Sequence, residues 1–128
     1  FGISLHKVNE NIDSGGLIFQ EKISYTWEDN GESLYKKAQN EMVRFFKKKY
    51  PLLRSLSFDV FPQDLSKGSF HLSSEINEIS NLDLNKNIKV RDLLNLLRAR
   101  TFEGYPGCSF FENGVEYEIK ISIKKKSD

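Results

Sequence analysis

Asn113-Gly114 stands between two β-rich runs, Cys108 to Phe111 and Val115 to Ile123. An Asn-Gly pair in that setting is a strong hairpin signal, because both residues accept the positive φ of a two-residue turn. Val115, Tyr117, Ile119, Ile121 and Ile123 alternate with polar residues and so share one face of the second strand. A two-stranded hairpin with a continuous apolar face is not stable alone in water and needs cover, from its own domain or from another subunit. The remaining chain must supply that cover or leave it to a partner. It has 128 residues, 38% of them hydrophobic, enough for one small domain or for two packed pieces of a larger one.

Ahead of the hairpin, Val90, Leu93, Leu94, Leu96, Leu97 and Phe102 recur around Arg91, Asp92 and Asn95. This pattern predicts a short amphipathic helix over 88–101, stopped by Tyr105-Pro106-Gly107. At the other end, residues 2–8 and 17–25 alternate in polarity around the turn-rich stretch from Asn9 to Gly16, which reads as two strands about a polar loop. From about Asn30 a helix is expected: Asn30 can cap it, and Leu34, Tyr35, Ala38, Met42, Phe45 and Phe46 follow at helical intervals. Pro51 is expected to end it, since proline disfavours helix at the residue before it. Between 52 and 69 the periodicity is lost, and the segment is read as a linker with short irregular structure.

Charge and cysteine usage narrow the function classes. Nineteen basic residues against 18 acidic ones leave a formal net charge of +1, so no overall field favours nucleic acid or a membrane surface. The run Lys47-Lys48-Lys49 falls at the end of a predicted helix, where basic residues suit the helix dipole, and Lys124-Lys125-Lys126 reads as a solvated tail. Cys108 is the lone cysteine, which excludes an internal disulfide and a cysteine-based zinc site and suits a reducing, cytoplasmic setting. No apolar run is long enough to span a bilayer, and Phe1-Gly2-Ile3-Ser4-Leu5-His6 lacks the basic start and apolar core of a signal peptide. A strand-like opening without an initiator Met suggests a chain cut from something longer.

The chemistry is concentrated in the first loop. His6 is followed seven positions later by Asp13, then by Ser14, Gly15 and Gly16, with a strand-like run on either side. Here the sequence resembles the folate-dependent N-formyltransferases. The likeness rests on Ile3-Ser4-Leu5-His6 with Ile12-Asp13-Ser14-Gly15-Gly16-Leu17-Ile18, on Gly31-Glu32-Ser33-Leu34-Tyr35, and on Leu97-Arg98-Ala99-Arg100-Thr101-Phe102 followed by Tyr105-Pro106-Gly107. The resemblance covers nearly the whole chain and is weakest between Leu52 and Ser69. It implies an α/β fold: the carboxy-terminal part of a Rossmann-like formyltransferase domain over residues 1–51, a linker over 52–87, and a helix and β-hairpin dimerisation module over 88–128.

It also implies the reaction, transfer of a formyl group from N10-formyltetrahydrofolate to an amine. The amine must be neutral to attack, so a base takes its proton, and the oxyanion that develops needs a fixed donor. In the family an Asn and a His meet those needs, in a segment that the resemblance places upstream, and an Asp pairs with the His. By resemblance Asp13 is that Asp, and Asn11, Ile12 and Gly15 border the cofactor. A carboxylate beside an imidazole fixes its tautomer and stabilises its cation. Without the upstream Asn and His this chain is expected to be inactive alone.

Each candidate also has a plainer reading. Asp13 in isolation is an ordinary turn residue, and it is the matched His6 and Gly15 that favour a catalytic role. His6 is read as a structural strand histidine bonded to nearby backbone. Arg98 and Arg100 carry forked donors suited to a nucleotide diphosphate, and Tyr105 could stack on a base or sugar; arginines on a short surface helix are ordinarily solvated or paired, and an aromatic before Pro-Gly ordinarily covers a helix end. Three functions stay open. The chain is part of an enzyme acting on a nucleotide-linked amino sugar, part of a methionyl-tRNA formyltransferase, or a non-catalytic association module. The tRNA enzymes carry a sizeable barrel after the linker, whereas one helix and one hairpin fit here. The sugar reading, with a homodimer joined through the hairpin and with no nucleic acid or membrane partner, is therefore favoured.

Overall fold

The computed structural model describes residues 1–126. Its elements run β1 (Gly2–His6), β2 (Leu17–Lys22), α1 (Gly31–Arg54), a 3-10 turn (Leu65–Lys67), α2 (Glu75–Ser80), α3 (Val90–Ala99), β3 (Cys108–Glu112) and β4 (Val115–Ile119). The mixed α/β content is as expected. The two sheets among the described residues are antiparallel pairs, β1 with β2 and β3 with β4. The chain divides into two compact units: Phe1–Ser24 with Lys36–Phe70, and Tyr25–Tyr35 with the described residues from His71 onward.

In the first unit β1 and β2 pair from Gly2↔Lys22 to Leu5↔Phe19, then slip so that His6 faces Leu17. That bulge turns the chain where the strand meets the loop, a place where bulges commonly re-aim a side chain. Ile3 and Phe45 are buried, one from β1 and one from α1, and Lys49 lies 4.6 Å from the Phe19 ring centre. The helix does not stop at Pro51, as its sequence suggested, but runs to Arg54. Its end is a Schellman arrangement: Ser57 N–H donates to the Leu52 carbonyl at 2.9 Å and Leu56 N–H to that of Leu53 at 3.1 Å. Leu56, at φ 54°, takes the left-handed position usually given to glycine. Pro51 opens the last turn of the helix, with three helical residues after it, and the Ser55 hydroxyl donates back to the Pro51 carbonyl at 3.0 Å.

In the second unit Asn30 caps α1 as its type and place suggest. Ser33 N–H donates to Asn30 Oδ1 at 2.9 Å, and Asn30 N–H donates to Ser33 Oγ at 3.0 Å, a reciprocal box that satisfies both ends. Buried Asp29 sits beneath it and accepts from Thr26 N–H and the Ser33 hydroxyl. The hairpin turns at Asn113 (φ 51°) and Gly114 (φ 79°), the two positive φ values of a type I′ turn.

Its second strand ends at Ile119, short of the Ile123 expected. Cys108, the first residue of β3, pairs opposite Ile119, and the preceding Gly107 N–H donates to the Glu118 carboxylate rather than extending the ladder. Beyond it Ile121 N–H donates to the Thr101 hydroxyl instead. The apolar face is consequently graded. Cys108 is fully buried and Ile119, Ile121 and Ile123 are half-buried, while Tyr117 and Val115 near the tip remain 47% and 50% exposed. No helix among the described residues is long and apolar enough to cross a membrane.

Candidate functional site

The first loop is closed by its own backbone. Lys7 N–H donates to the Gly16 carbonyl at 2.9 Å, and a Cβ on Gly15 would lie 1.7 Å from the Lys7 carbonyl oxygen. Glycine is required there by close approach of backbone to backbone. Asp13, at φ 49°, is wound into the left-handed region that aspartate tolerates better than most residues. The result is a carboxylate at the loop surface, 86% exposed, with one oxygen 3.6 Å from His6 Nε2. The other ring nitrogen of His6, Nδ1, lies 2.8 Å from the Lys7 carbonyl, the local backbone bond expected of it. If Nδ1 carries the proton it donates there, and Nε2 is the edge turned toward Asp13.

Residues from His6 to Asp13 line a cleft of about 310 Å³. Val8 and Ile12 lie on the loop, 92% and 82% exposed, so the cleft sits beside two aliphatic side chains in solvent and the polar Asn11. That combination suits a flat heteroaromatic ring, whose faces take apolar contacts and whose edge takes hydrogen bonds. Lys7, Asn9, Glu10 and Asn11 line the same cleft, so donors and acceptors for a ligand's polar edge are present beside the two aliphatic groups. Ser14 donates to Asn9 Oδ1 at 2.7 Å, which holds the far side of the loop. Gln63, which the sequence did not single out, donates through Nε2 to the carbonyls of Asp13 at 2.8 Å and Gly15 at 2.5 Å.

Arg98, Arg100 and Tyr105 lie in the second unit. The Arg98 guanidinium stands 4.5 Å from the Trp27 ring centre and donates from Nη1 to the Thr26 carbonyl, while Arg91 lies 5.2 Å from the same ring. Arg100 donates from Nη2 to the Pro106 carbonyl at 3.0 Å, and its Nε is buried with no acceptor. It also borders Cys108, whose thiol is pushed up by burial and drawn partly back by the Arg100 charge. Tyr105 packs edge-on against Phe102, which packs edge-on against Tyr35. These three rings, with Ala99, Arg100 and Pro106, line a second cleft of about 350 Å³. Among the described residues there is no cluster of His, Cys, Asp or Glu able to hold a metal ion.

Residues 75–125 match the family model of the N-formyltransferase dimerization C-terminal domain. Over that segment the chain is similar to the N-formyltransferases. It is 22% identical over 124 residues to the dTDP-4-amino-4,6-dideoxyglucose formyltransferase of Mycobacterium tuberculosis, covering 96% of this chain and 53% of that protein. The chain thus spans about half the length of the curated relatives it matches. A 4-N formyltransferase from Francisella tularensis superposes with a TM-score of 0.85 at 24% identity, over 96% of this chain and 51% of that one. A sugar N-formyltransferase from a Shewanella species gives 0.81 at 22% identity, over 97% and 50%. A formyltransferase from Anoxybacillus kamchatkensis, solved with a UDP-linked formamido sugar and tetrahydrofolate, gives 0.56 at 23% identity, over 60% and 40%. These likenesses establish the fold.

Proposed function

We propose that this chain is the carboxy-terminal half of an enzyme that transfers a formyl group from N10-formyltetrahydrofolate to the amine of a nucleotide-linked amino sugar. The observation that carries this reading is the closed strand-loop-strand turn, which presents an exposed Asp13 carboxylate beside a cleft suited to a flat ring. Asp13 holds and charges the imidazole of an upstream catalytic histidine, so that the amine proton has a base to go to. Asn11 and Ile12 border the folate, and Gly15 allows the backbone to wind tightly enough for both to reach it. The bound folate supplies the formyl group.

For the sugar nucleotide, the favoured residues are Arg100 and Tyr105, which line the second cleft, Tyr105 exposed at its lip. The ligand role first considered for Arg98 is given less weight, because its guanidinium already serves Thr26 and Trp27. Residues 1–51 complete the catalytic domain, and the segment from 88 onward is the dimerisation module, with 52–87 between them. The sugar reading is supported by the sugar-acting relatives. A cytoplasmic location suits a free buried cysteine and a folate donor.

Two experiments test the reading. The complete protein, given N10-formyltetrahydrofolate and a panel of amino-sugar nucleotides, should form a formamide, whereas the 128-residue chain alone should not turn over. Formylation by the short chain would overturn the assignment of roles. Light scattering on the complete protein at micromolar concentration should give a dimer, and Val115→Asp with Tyr117→Asp should convert it to monomer or aggregate, since both side chains lie at the exposed end of the hairpin face. A monomeric unmodified protein would remove the hairpin from the interface.

A further inference from the structure

The segment 60–63 was expected to be irregular linker, yet four hydrogen bonds tie it to the candidate catalytic loop and to the first residue of β2. Two are backbone: Leu17 N–H donates to the Phe61 carbonyl at 2.7 Å, and Phe61 N–H to that of Leu17 at 2.8 Å. They bring the segment alongside the start of β2, so closely that a Cβ on Gly16 would lie 2.5 Å from Val60 Cγ1. The other two come from one side chain: Gln63 Nε2 has two hydrogens, and the carbonyls of Asp13 and Gly15 lie within 2.8 Å and 2.5 Å of it.

We propose that Gln63 is a positioning residue that holds the Asp13 carboxylate in place through the backbone of its loop. The inference rests on the reading of Asp13 as catalytic. The Asp13 side chain itself is unsupported: it is exposed, and the His6 ring nitrogen that faces it lies 3.6 Å away, beyond hydrogen-bond reach. Its direction is therefore set by the backbone on either side of it. That backbone is left-handed at Asp13, a conformation that aspartate tolerates but does not prefer, so the surroundings must hold it. Lys7 supplies one restraint, through its bond to Gly16 and the contact that excludes a side chain at Gly15. Gln63 supplies the other, since a single amide can bond two carbonyls two residues apart only when the turn between them is wound as it is here.

The segment between β2 and residue 63 includes all of α1, so the clamp reaches the loop from a point 50 residues along the chain. Removing the amide leaves both carbonyls to find water and frees the turn to unwind. A misplacement of about 1 Å at a reacting group can cost on the order of 10²-fold in rate.

The test is a double-mutant cycle in the complete enzyme. Gln63→Ala should lower kcat by about 10- to 100-fold with KM for the sugar nucleotide changed less than about threefold, and Gln63→Asn, which keeps the amide on a shorter arm, should recover part of the loss. Because Gln63 acts through Asp13, adding Gln63→Ala to Asp13→Asn should slow the enzyme little further than Asp13→Asn alone. Should Gln63→Ala fail to fold, Gln63→Asn is carried through the same cycle. Losses that multiply in the double variant, or a Gln63 variant with unchanged kcat beside a slow Asp13→Asn, would overturn the positioning role and leave the Asp13 assignment standing. An Asp13→Asn enzyme of full rate would remove the catalytic assignment, and the Gln63 proposal with it.

Discussion

The Asp13 loop and the Arg98–Tyr105 segment were both candidate ligand sites, but they are built in opposite ways. In the loop the backbone is locked, by Lys7, Gly15 and Gln63, while the ionisable side chain stands in solvent. After α3 the side chains lock one another: Arg98 lies on Trp27, Arg100 reaches Pro106, and Tyr105 packs on Phe102. A group already committed to neighbours holds the fold, whereas one aimed outward by a rigid backbone is available for chemistry. By that criterion Asp13 is the stronger functional candidate and Arg98 the weaker one, with Arg100 between them because it lines the second cleft while bonded to Pro106.

The largest expected effect tests the outward group. In the complete enzyme Asp13→Asn should lower kcat by roughly 10² to 10⁴-fold, as for loss of a group that supports general base catalysis. Its thermal unfolding should shift little, by about 0.5 kcal/mol or less, since asparagine accepts the left-handed backbone as aspartate does. A large loss of stability with a modest loss of rate would reverse the contrast between the two regions.

The locked backbone should respond differently. Gly15→Ala drives a methyl into the Lys7 carbonyl, a backbone clash that no side-chain rotation relieves. Destabilisation by about 1 to 3 kcal/mol is expected, the usual range for overpacking, and is measured by urea unfolding. Loop amides from Ser14 to Gly16 should also exchange faster. An unchanged midpoint would mean that the loop is looser than its contacts imply.

Arg98→Ala sharpens the other side of the comparison. It removes a ring contact and a hydrogen bond to Thr26, together worth about 1 to 2 kcal/mol, and calorimetry should register that loss. KM for the sugar nucleotide should hold. A KM that rises severalfold with stability intact would restore Arg98 to the ligand site.

The smallest effect lies at α2. Glu75 accepts from Leu72 N–H at 2.9 Å and faces His71 Nδ1 at 2.9 Å, and these hold its carboxyl below its ordinary value of 4.5, the Leu72 bond first and His71 second. A depressed folded pKa means that the contribution is fully present above that ordinary value and is lost as pH falls through the folded one. The helical signal of Glu75–Ser80 and the protection of its amides should therefore hold at neutral pH and weaken only in acid. Weakening that begins near neutrality would mean that the Glu75 carboxylate does not hold this helix.

The local features were legible because their causes are local. Alternating polarity marked β1, β2 and the hairpin strands, the Asn-Gly pair set the type I′ turn, and Asn30 announced the cap of α1, each within a few residues of its own partners. Even the end of α1 failed for a local reason, since a left-handed Leu56 is a costly choice that composition does not advertise.

Tertiary structure decided what depends on partners distant in sequence. Nothing within 60–63 shows that Phe61 will pair with Leu17 or that the Gln63 amide will reach Asp13 and Gly15. Nor does the periodicity of 88–101 reveal that Arg98 lies on Trp27. Polarity patterns report which residues face water. They do not report which hydrogen-bond donor meets which acceptor once the chain has closed on itself, and it is that pairing that separates an outward carboxylate from an engaged guanidinium.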